Sequence, residues 1–303
     1  MKTFSFMGNS KRFFLISGII IAAIILISLF AGVEMDIEFK GGAIITYSFE
    51  GTIDRDEFAR IAQDVTATTI SIQESTNLAT QSDTMVLSLP GNASLTSDQM
   101  AQVTEALRQA FPDSNIQVIS NSNVDATMGA EFFAKCLTAV GLASVLMIIY
   151  VTLRFRKIGG FSAGVMGVVA LVHDIIIVFG VFVIFGIPIS GNFIAVVLTI
   201  LGYSLNDTIV IYDRIRENKR LYGEKLTLSE IVDRSIGQCL KRTLNTTITT
   251  VISMVVVSVV ALIFGVGSIL TFAFPMILGL ISGVYSSICI AGPLWVKWRE
   301  YRG

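Results

Sequence analysis

The chain has 303 residues, of which 53% are hydrophobic and only 15% are charged, and its mean hydropathy is +0.72. These values exclude an ordinary soluble domain, in which charged residues make up about a quarter of the chain, and they indicate an integral membrane protein. The net charge of −1 hides an uneven distribution, which matters because Lys and Arg beside the spans set the orientation of a membrane protein.

Six apolar segments are each long enough to cross a bilayer, which takes about 20 residues per helix. The first, residues 13–32, follows Lys2, Lys11 and Arg12. Its apolar stretch is longer than that of a cleaved signal peptide and lacks a matching cleavage site, so we predict a retained helix. The other predicted spans are residues 132–153, 161–185, 193–212, 246–264 and 269–294.

Residues 33–131 form a polar segment between the first two spans. They include four basic and fifteen acidic residues, a net charge of about −11, which the positive-inside rule associates with the exported side. The periodicity predicts the order strand, helix, strand, strand, helix, strand of a ferredoxin-like α+β domain. The predicted elements are a strand at 43–49, a helix at 53–62 with Asp54 as its cap, strands at 69–73 and 85–89, a helix from Thr96 or Ser97 to Phe111, and a strand at 116–119.

The basic residues predict that both chain termini are cytoplasmic. Arg154, Arg156 and Lys157 follow the second span, and residues 213–245 form a predicted cytoplasmic loop with eight Lys and Arg residues. Within this loop, residues 226–233 predict a short capped amphipathic helix at the membrane surface. The predicted organisation is an N-terminus and first span in residues 1–32, an exported domain in residues 33–131, and a helical bundle in residues 132–303.

The sequence predicts no metal, cofactor or disulfide. Cys136 and Cys289 lie in spans and Cys239 in the cytoplasmic loop, so the exported segment has no cysteine to pair. His173 is the single histidine, and no two cysteines have the spacing of zinc ligands.

Asp207 is the only charged residue in the fourth span. A charged Asp at the centre of a membrane helix costs about 2.5–3.5 kcal/mol, so such residues usually face the protein interior and mark ion or proton movement. Asp207 precedes Asp213 by six residues, which places it about 9 Å from the first interfacial charge. We therefore predict that Asp207 lies off the centre of the bilayer but inside it.

His173 and Asp174 form a second titratable pair, near the middle of the third span. One interpretation is a group on a proton path, since His and a carboxylate can exchange protons near neutral pH. The other is a hydrogen-bonded contact between packed helices. Adjacent helical residues point about 100° apart, so we expect at most one of the two to face the same neighbour as Asp207.

Arg242 opens the fifth span, and two interpretations of it remain. Its side chain either reaches the lipid headgroups, or its permanent charge faces Asp207 and holds the carboxylate until a proton arrives. The hydroxyl residues that follow either pack helices closely or line a thin file of water. They are Thr246, Thr247, Thr249, Thr250 and Ser253, and two glycine pairs, Gly160 with Gly164 and Gly279 with Gly283, predict further helix contacts.

Residues 202–218, with the sequence GYSLNDTIVIYDRIREN, resemble the fourth-span signature of the SecF branch of the SecD/SecF family of protein-export membrane proteins. Residues 36–42 are similar to the acidic-Phe-x-Gly-Gly motif that follows the first span in that family. Residues 240–244 resemble its fifth-span entry, and His173 with Asp174 its third-span pair. The resemblance extends over nearly the whole chain and includes the topology of six spans.

The resemblance implies a six-helix half of a transporter fold of the resistance-nodulation-division type, in the bacterial cytoplasmic (inner) membrane. It implies SecD, the SecYEG channel and YajC as partners, a translocating preprotein as substrate, and protons rather than a cofactor as the driving force. No nucleic acid partner is implied. Asp207 matches the proton-coupling acid of the family and Arg242 its arginine, although the connection between them is about one residue longer than in the best-known relatives.

The resemblance also assigns two further sets of residues. The fourth-span motif falls on Gly202, Tyr203, Ser204, Asn206, Asp213 and Arg214. The motif after the first span falls on Asp36, Phe39, Gly41 and Gly42, where residues without Cβ allow sharp turns and close backbone approach, and we call these four residues the hinge motif.

Three other functions are weighed against proton-driven export. The chain could hold SecD without conducting protons, or it could be half of an exporter for lipids or drugs, which would normally carry both halves in one chain. An intramembrane protease is disfavoured, because the segment around Ser204 lacks the second glycine of a serine protease, and Asp213 has no Gly-x-Gly-Asp partner. We predict that the chain is not an enzyme.

Overall fold

The structure is a computed structural model that describes residues 5–66, 70–77, 82–90, 97–124, 126–264 and 266–302. In chain order the elements are α1 (Ser10–Ala31), α2 (Ile37–Lys40), β1 (Gly42–Phe49), α3 (Arg55–Thr66), β2 (Ser71–Asn77), β3 (Ser82–Pro90), α4 (Ser97–Ala110), β4 (Gln117–Val124), α5 (Ala126–Arg154), α6 (Gly160–Ile184), α7 (Gly191–Tyr222), α8 (Leu228–Ile263), α9 (Gly267–Ser286) and α10 (Gly292–Arg302). A π-helical segment, Ser287–Ala291, joins α9 to α10.

Six helices in the described ranges are long and apolar enough to cross a membrane, which confirms the six predicted spans. They are α1, α5, α6, α7, α8 and the continuous run of α9 and α10. Helices suit a bilayer because each one satisfies its own backbone hydrogen bonds. We call the end of the bundle where α1 begins and α10 ends the terminal end, and the opposite end the sheet end. At the terminal end, the ammonium of Lys297 lies 4.5 Å from the ring centroid of Phe14.

The bundle has inner and outer helices. About half of the apolar window of α6, α7 and the last span is buried, at 50%, 50% and 44%. The same windows of α1, α5 and α8 are only 11%, 6% and 17% buried. Because lipid is as apolar as these exposed side chains, the outer helices present surfaces for the bilayer or for another membrane protein.

Residues 213–245, the predicted cytoplasmic connection between the fourth and fifth spans, are almost entirely helical. Helix α7 continues to Tyr222, and α8 begins at Leu228 and runs without a break into the fifth span. The predicted short helix at residues 226–233 is therefore the first part of α8. The buried side chain of Asn218 donates to Ser235 Oγ at 2.8 Å, so the two extensions pack as a helical hairpin at the terminal end.

The start of α8 agrees with the predicted cap. Thr227 and Glu230 form a capping box, in which the Glu230 backbone N–H donates to Thr227 Oγ1 at 3.3 Å and the Thr227 backbone N–H donates to Glu230 Oε2 at 2.8 Å. This reciprocal pair satisfies backbone donors that a helix start otherwise leaves free.

The segment after α1 folds into an antiparallel sheet with strand order β2-β3-β1-β4. Helices α3 and α4 cover one face, and Tyr47, Phe58, Leu87 and Leu107 are fully buried between them and the sheet. Burial raises the pKa of the Tyr47 phenol, whose oxygen lies 3.2 Å from Thr104 Oγ1. The polar end of β4 extends beyond the predicted strand at 116–119.

The cap predicted for the first helix of this domain is confirmed. Asp54 Oδ1 accepts hydrogen bonds from the backbone N–H groups of Asp56 and Glu57 at 2.8 and 3.1 Å. Of the residues that bound the predicted elements, Thr69 and Thr96 lie outside the described residues.

A short corner joins α1 to the sheet. Phe39 of α2 is buried against Phe132 and Phe133, with ring centroids 5.6 and 5.1 Å away. Gly41 and Gly42 then adopt φ values of 76° and 138°, which side chains rarely tolerate. A Cβ on Gly42 would collide with the carbonyl oxygen of Leu89. The sharp turn and close backbone approach predicted for this glycine pair are confirmed.

We predict that Gly42→Ala destabilises the purified chain by more than the roughly 1–3 kcal/mol expected from backbone strain alone. The excess comes from the collision with Leu89. Gly51→Ala is the matched control, because Gly51 also has a positive φ, 81°, but nothing lies within 4 Å of its added Cβ. Thermal unfolding in detergent measures both, and equal losses would show that close packing at Gly42 contributes nothing.

Candidate functional site

Two carboxylates are buried within the spans of the bundle, Asp174 on α6 and Asp207 on α7. Their residues are 0% and 4% exposed. Burying a charge is costly unless hydrogen bonds or opposite charges compensate for the lost water. The two acids differ in the partners that compensate for the lost water.

Asp174 has partners on both carboxylate oxygens. Ser282 Oγ donates to Oδ1 at 2.6 Å, and Ser286 Oγ and Ser204 Oγ donate to Oδ2 at 2.6 and 2.9 Å. His173 Nδ1 lies 3.2 Å from Oδ1. An ionised carboxylate has about four acceptor sites, so this group is close to saturated. Asp174 thereby joins α6 to α7 and α9.

The polar contacts continue from Ser204 along the α7–α9 interface. Thr208 Oγ1 donates to Ser287 Oγ at 3.0 Å, and Ser287 Oγ donates to the carbonyl of Ser204 at 3.1 Å. The π-helical segment begins at Ser287, and such segments occur mostly at functional sites.

Glycine allows α7 and α9 to approach closely here. A Cβ on Gly283 would lie 3.1 Å from Ser204 Cβ, and a Cβ on Gly279 would collide with Ile200. The contact predicted for this glycine pair is confirmed. It brings the α9 serines within reach of Asp174.

Asp207 lies on the side of α7 that faces α8, and its buried carboxylate lacks a full set of hydrogen-bond partners among the described residues. Its Oδ2 has no hydrogen-bond partner among the residues that the structure describes. On one side of it Tyr203 Oη donates to the carbonyl of Thr246 at 2.9 Å, and on the other Cys239 Sγ lies 3.8 Å from the carbonyl of Val210. These two contacts place Asp207 opposite the turn of α8 that contains Thr243.

The facing turns of α8 also have unpaired hydroxyls. Thr243 and Thr247 are 1% and 5% exposed, and neither Oγ1 has a hydrogen-bond partner within the described ranges. Buried polar atoms without partners are uncommon in native proteins and need an explanation. By contrast, the exposed Thr246, Thr249 and Ser253 donate to carbonyls of their own helix.

Arg242 makes no direct bond to Asp207. Within the described chain the two side chains form neither a hydrogen bond nor an ion pair. The Arg242 side chain lies on the exposed surface of α8. Of the two interpretations of Arg242, the one in which its guanidinium faces Asp207 has no direct contact in this structure.

Of the third-span pair, Asp174 is the residue that contacts α7. His173 faces the Tyr285 ring, with centroids 5.9 Å apart, and its Nε2 has no partner in the part of the chain described. Asp174 thus lies between Ser204 and His173. A serine nucleophile requires the histidine between serine and carboxylate, so this order does not activate Ser204 for catalysis.

The remaining fourth-span motif residues have separate positions. Gly202 and Asn206 are exposed on the outer face of α7. At the terminal end, Asp213 forms ion pairs with Arg154 and Arg216 at 3.1 and 2.8 Å. Arg214 Nε donates to Gln238 Oε1 of α8 at 2.6 Å.

The hinge motif lies at the sheet end, apart from the buried acids. Asp36 Oδ1 accepts the backbone N–H of Glu38 at 3.0 Å and so caps α2.

The sequence analysis did not identify Ser282 and Ser286, which donate to Asp174, or Thr208 and Ser287, which extend the polar contacts from Ser204. The available signal was the i, i+4 spacing of Ser282 and Ser286 within an apolar span.

The chain resembles known proteins along its whole length. A family model described as protein export membrane protein SecD/SecF, C-terminal, matches residues 102–301. The protein translocase subunit SecF of Alicyclobacillus acidocaldarius is 34% identical, over 98% of this chain and 93% of that protein. The SecF subunit of Petrotoga mobilis is 31% identical, over 100% of this chain and 98% of that protein.

Longer relatives match this chain over one part of their length. The protein translocase subunit SecDF of Bacillus subtilis is 32% identical over 97% of this chain, which covers 38% of that protein. The crystal structure of SecDF from Thermus thermophilus, described as a translocon-associated membrane protein, superposes with a TM-score of 0.82 and 28% identity. That match covers 98% of this chain and 39% of the SecDF chain.

We predict that Ser286→Ala destabilises the chain by about 1.5–3 kcal/mol, because a fully buried carboxylate loses one of its donors. Ser253→Ala is the control, since the exposed Ser253 donates only to the Thr249 carbonyl of its own helix, at 3.0 Å. Thermal unfolding in detergent compares the two variants. Equal small shifts would show that Asp174 does not depend on its serine donors.

Proposed function

The chain belongs to the SecF family of protein translocase subunits, and from this membership we propose that it works with SecD to couple proton movement to protein export. Preproteins pass through the SecYEG channel, with YajC as a further partner, and the proton motive force drives the step in which this chain takes part. Asp207 carries the proton. The family consists of translocase subunits, so the chain is not expected to have catalytic activity.

The observation that carries this proposal is the contrast between the two buried acids. Protonation of Asp174 would have to displace a serine donor that lies 2.6–2.9 Å from its carboxylate. Asp207 has a buried oxygen without a partner, and it lies opposite two hydroxyls that also lack partners in the described ranges. Asp207 can therefore gain and lose a proton without breaking the contacts that join the inner helices.

Arg242 links the protonation state of Asp207 to the packing of α7 against α8. While Asp207 is ionised, the positive charge of Arg242 on α8 attracts it over a longer range than a direct ion pair, and this attraction favours the packing of α7 against α8. Neutralising the carboxyl removes the attraction and allows the two helices to shift. A proton that crosses a membrane potential releases about 2.3 kcal/mol per 100 mV. That energy changes a two-state equilibrium by more than tenfold.

The exposed polar groups beside Asp207 suit a membrane partner. Gly202 and Asn206 of α7 and Asn245 and Thr249 of α8 are exposed small or polar residues, and α7 packs against α8 in this region through the bond from Tyr203 to the Thr246 carbonyl; we call these four residues the polar strip. Small and polar residues mark helix contacts in membranes. We assign this strip to the six-helix half supplied by SecD.

The sheet domain supplies the part that acts outside the membrane. Its element order and strand order fit the ferredoxin-like class. Its acidic balance favours the periplasmic or extracellular side, with both termini in the cytoplasm. Movement of this domain relative to the bundle is what draws the emerging preprotein outward.

A non-conducting partner of SecD is the second candidate. The saturated Asp174 site favours it, because such a network suits static helix packing. The two candidates differ in proton flux, which a purely structural subunit does not require.

We predict that Asp207→Asn leaves the chain inserted and paired with SecD but abolishes proton-dependent stimulation of export. The amide has nearly the same volume as the carboxyl group but does not titrate. Glu217→Gln is the control on the same helix, since Glu217 is an exposed residue paired with Arg214. Proton flux and preprotein translocation are measured in membrane vesicles that contain SecD and SecYEG. Full stimulation in Asp207→Asn would refute the assignment.

We predict that Arg242→Gln removes most of the proton-dependent stimulation of export and that Arg242→Lys retains part of it. Lysine keeps the charge but lacks the planar guanidinium. The adjacent exposed Lys241 provides a matched control, and Lys241→Gln should behave as wild type. The same vesicle assay applies. If both glutamine variants lose activity equally, general surface charge rather than the Arg242 position is responsible.

A further inference from the structure

We infer that Glu38 is a positioning residue that connects the sheet domain to the start of α7, the helix that carries Asp207. The inference rests on the proposed function and adds a route by which movement at Asp207 reaches the exported domain. Glu38 is the acidic residue directly before Phe39 in the acidic-Phe-x-Gly-Gly pattern of residues 36–42, but the sequence does not show what its side chain contacts.

The contact joins residues that are 153 positions apart. The backbone N–H of Gly191, the first residue of α7, donates to Glu38 Oε2 at 2.7 Å. The first N–H groups of a helix have no partner inside the helix, and the positive end of the helix dipole favours a carboxylate there. A Cβ on Gly191 would lie 3.0 Å from Glu38 Oε2, so glycine leaves room for this approach.

Two backbone hydrogen bonds reinforce the contact. The N–H of Asp36 donates to the carbonyl of Ile189 at 2.9 Å, and the N–H of Ile189 donates to the carbonyl of Glu34 at 2.9 Å. Met35 and Ile189 thus form a short parallel bridge just before α7 begins. Three hydrogen bonds within residues 34–38 tie this segment to the start of α7.

The other end of the segment leads directly into the sheet. Gly41 and Gly42 follow α2, and β1 begins at Gly42. Because β1 pairs with both β3 and β4, it lies in the middle of the sheet. A displacement of residues 34–40 therefore moves the sheet as a unit.

Helix α7 provides the connection to the membrane site. Asp207 follows Gly191 by sixteen residues, which is about 24 Å of continuous helix. A rigid helix conveys an axial shift or a rotation along its length, and a packed element with two positions is the physical basis of coupling between distant sites. Glu38 is the side chain that links a backbone donor of α7 itself to the sheet domain.

The test compares Glu38→Ala with Glu38→Gln in vesicles that contain SecD and SecYEG. We expect Glu38→Ala to reduce preprotein translocation severalfold while proton flux through the Asp207 site persists. Glu38→Gln should retain most translocation, because its amide oxygen still accepts the Gly191 N–H. Glu34→Ala is the control, since Glu34 contributes its backbone carbonyl to Ile189 and has an exposed side chain.

The outcomes separate this inference from the proposed function. Wild-type translocation in Glu38→Ala, or an equal loss of translocation and proton flux, overturns the role of Glu38. Normal flux and translocation in Asp207→Asn overturn the proposed function, whatever the Glu38 variants do.

A distance measurement tests the connection directly. Spin labels at the exposed Gln63 of α3 and Ile269 of α9 report the position of the sheet domain relative to the bundle. We expect Asp207→Asn to shift this distance distribution in the assembled complex, and we expect Glu38→Ala to remove the shift. A shift of the same size with and without Glu38 contradicts the inference.

Discussion

The removal of carboxylates from water is the constraint on which this structure depends. Asp174 and Asp207 lie on adjacent inner helices, and each must be compensated for the loss of hydration. Three serine hydroxyls from two other helices surround Asp174 and fix it. Asp207 has a nearby guanidinium that does not bond to it directly, and one oxygen without a partner among the described residues. The same residue type is therefore compensated in two ways, and we propose that Asp174 fixes the packing of the helices while Asp207 changes its protonation state.

Helix α7 brings the parts of the site into one rigid element. Glu38 contacts its first residue, Ser204 binds Asp174, Asp207 faces α8, and Asp213 forms ion pairs at the terminal end. Because the helix continues beyond the apolar span, the shift that we propose near Asp207 would reach both the sheet domain and the helical hairpin. The long fourth-span motif is thus a series of contacts along one helix.

Hydropathy and charge were sufficient to predict the spans and Asp207, because a lone carboxylate in an apolar run is a strong signal. The serines around Asp174 were not predicted, since uncharged hydroxyls are common in membrane helices and their partners lie far away in sequence. The contact of Glu38 with Gly191 was not predicted either, because the two residues are 153 positions apart. The extent of helix within residues 213–245 was not predicted, because hydrophilic composition does not separate irregular connections from solvent-exposed helices. Contacts between residues that are far apart in sequence depend on how the helices pack, and the sequence alone does not show that packing.

The central claim is that Asp207, and not Asp174, changes its protonation state. Infrared difference spectroscopy of the chain assembled with SecD in membranes, recorded between neutral and acidic pH, detects the carbonyl band of a newly protonated carboxyl group. The account predicts that this band disappears in Asp207→Asn and persists in Asp174→Asn. A band that persists in Asp207→Asn and disappears in Asp174→Asn would contradict it.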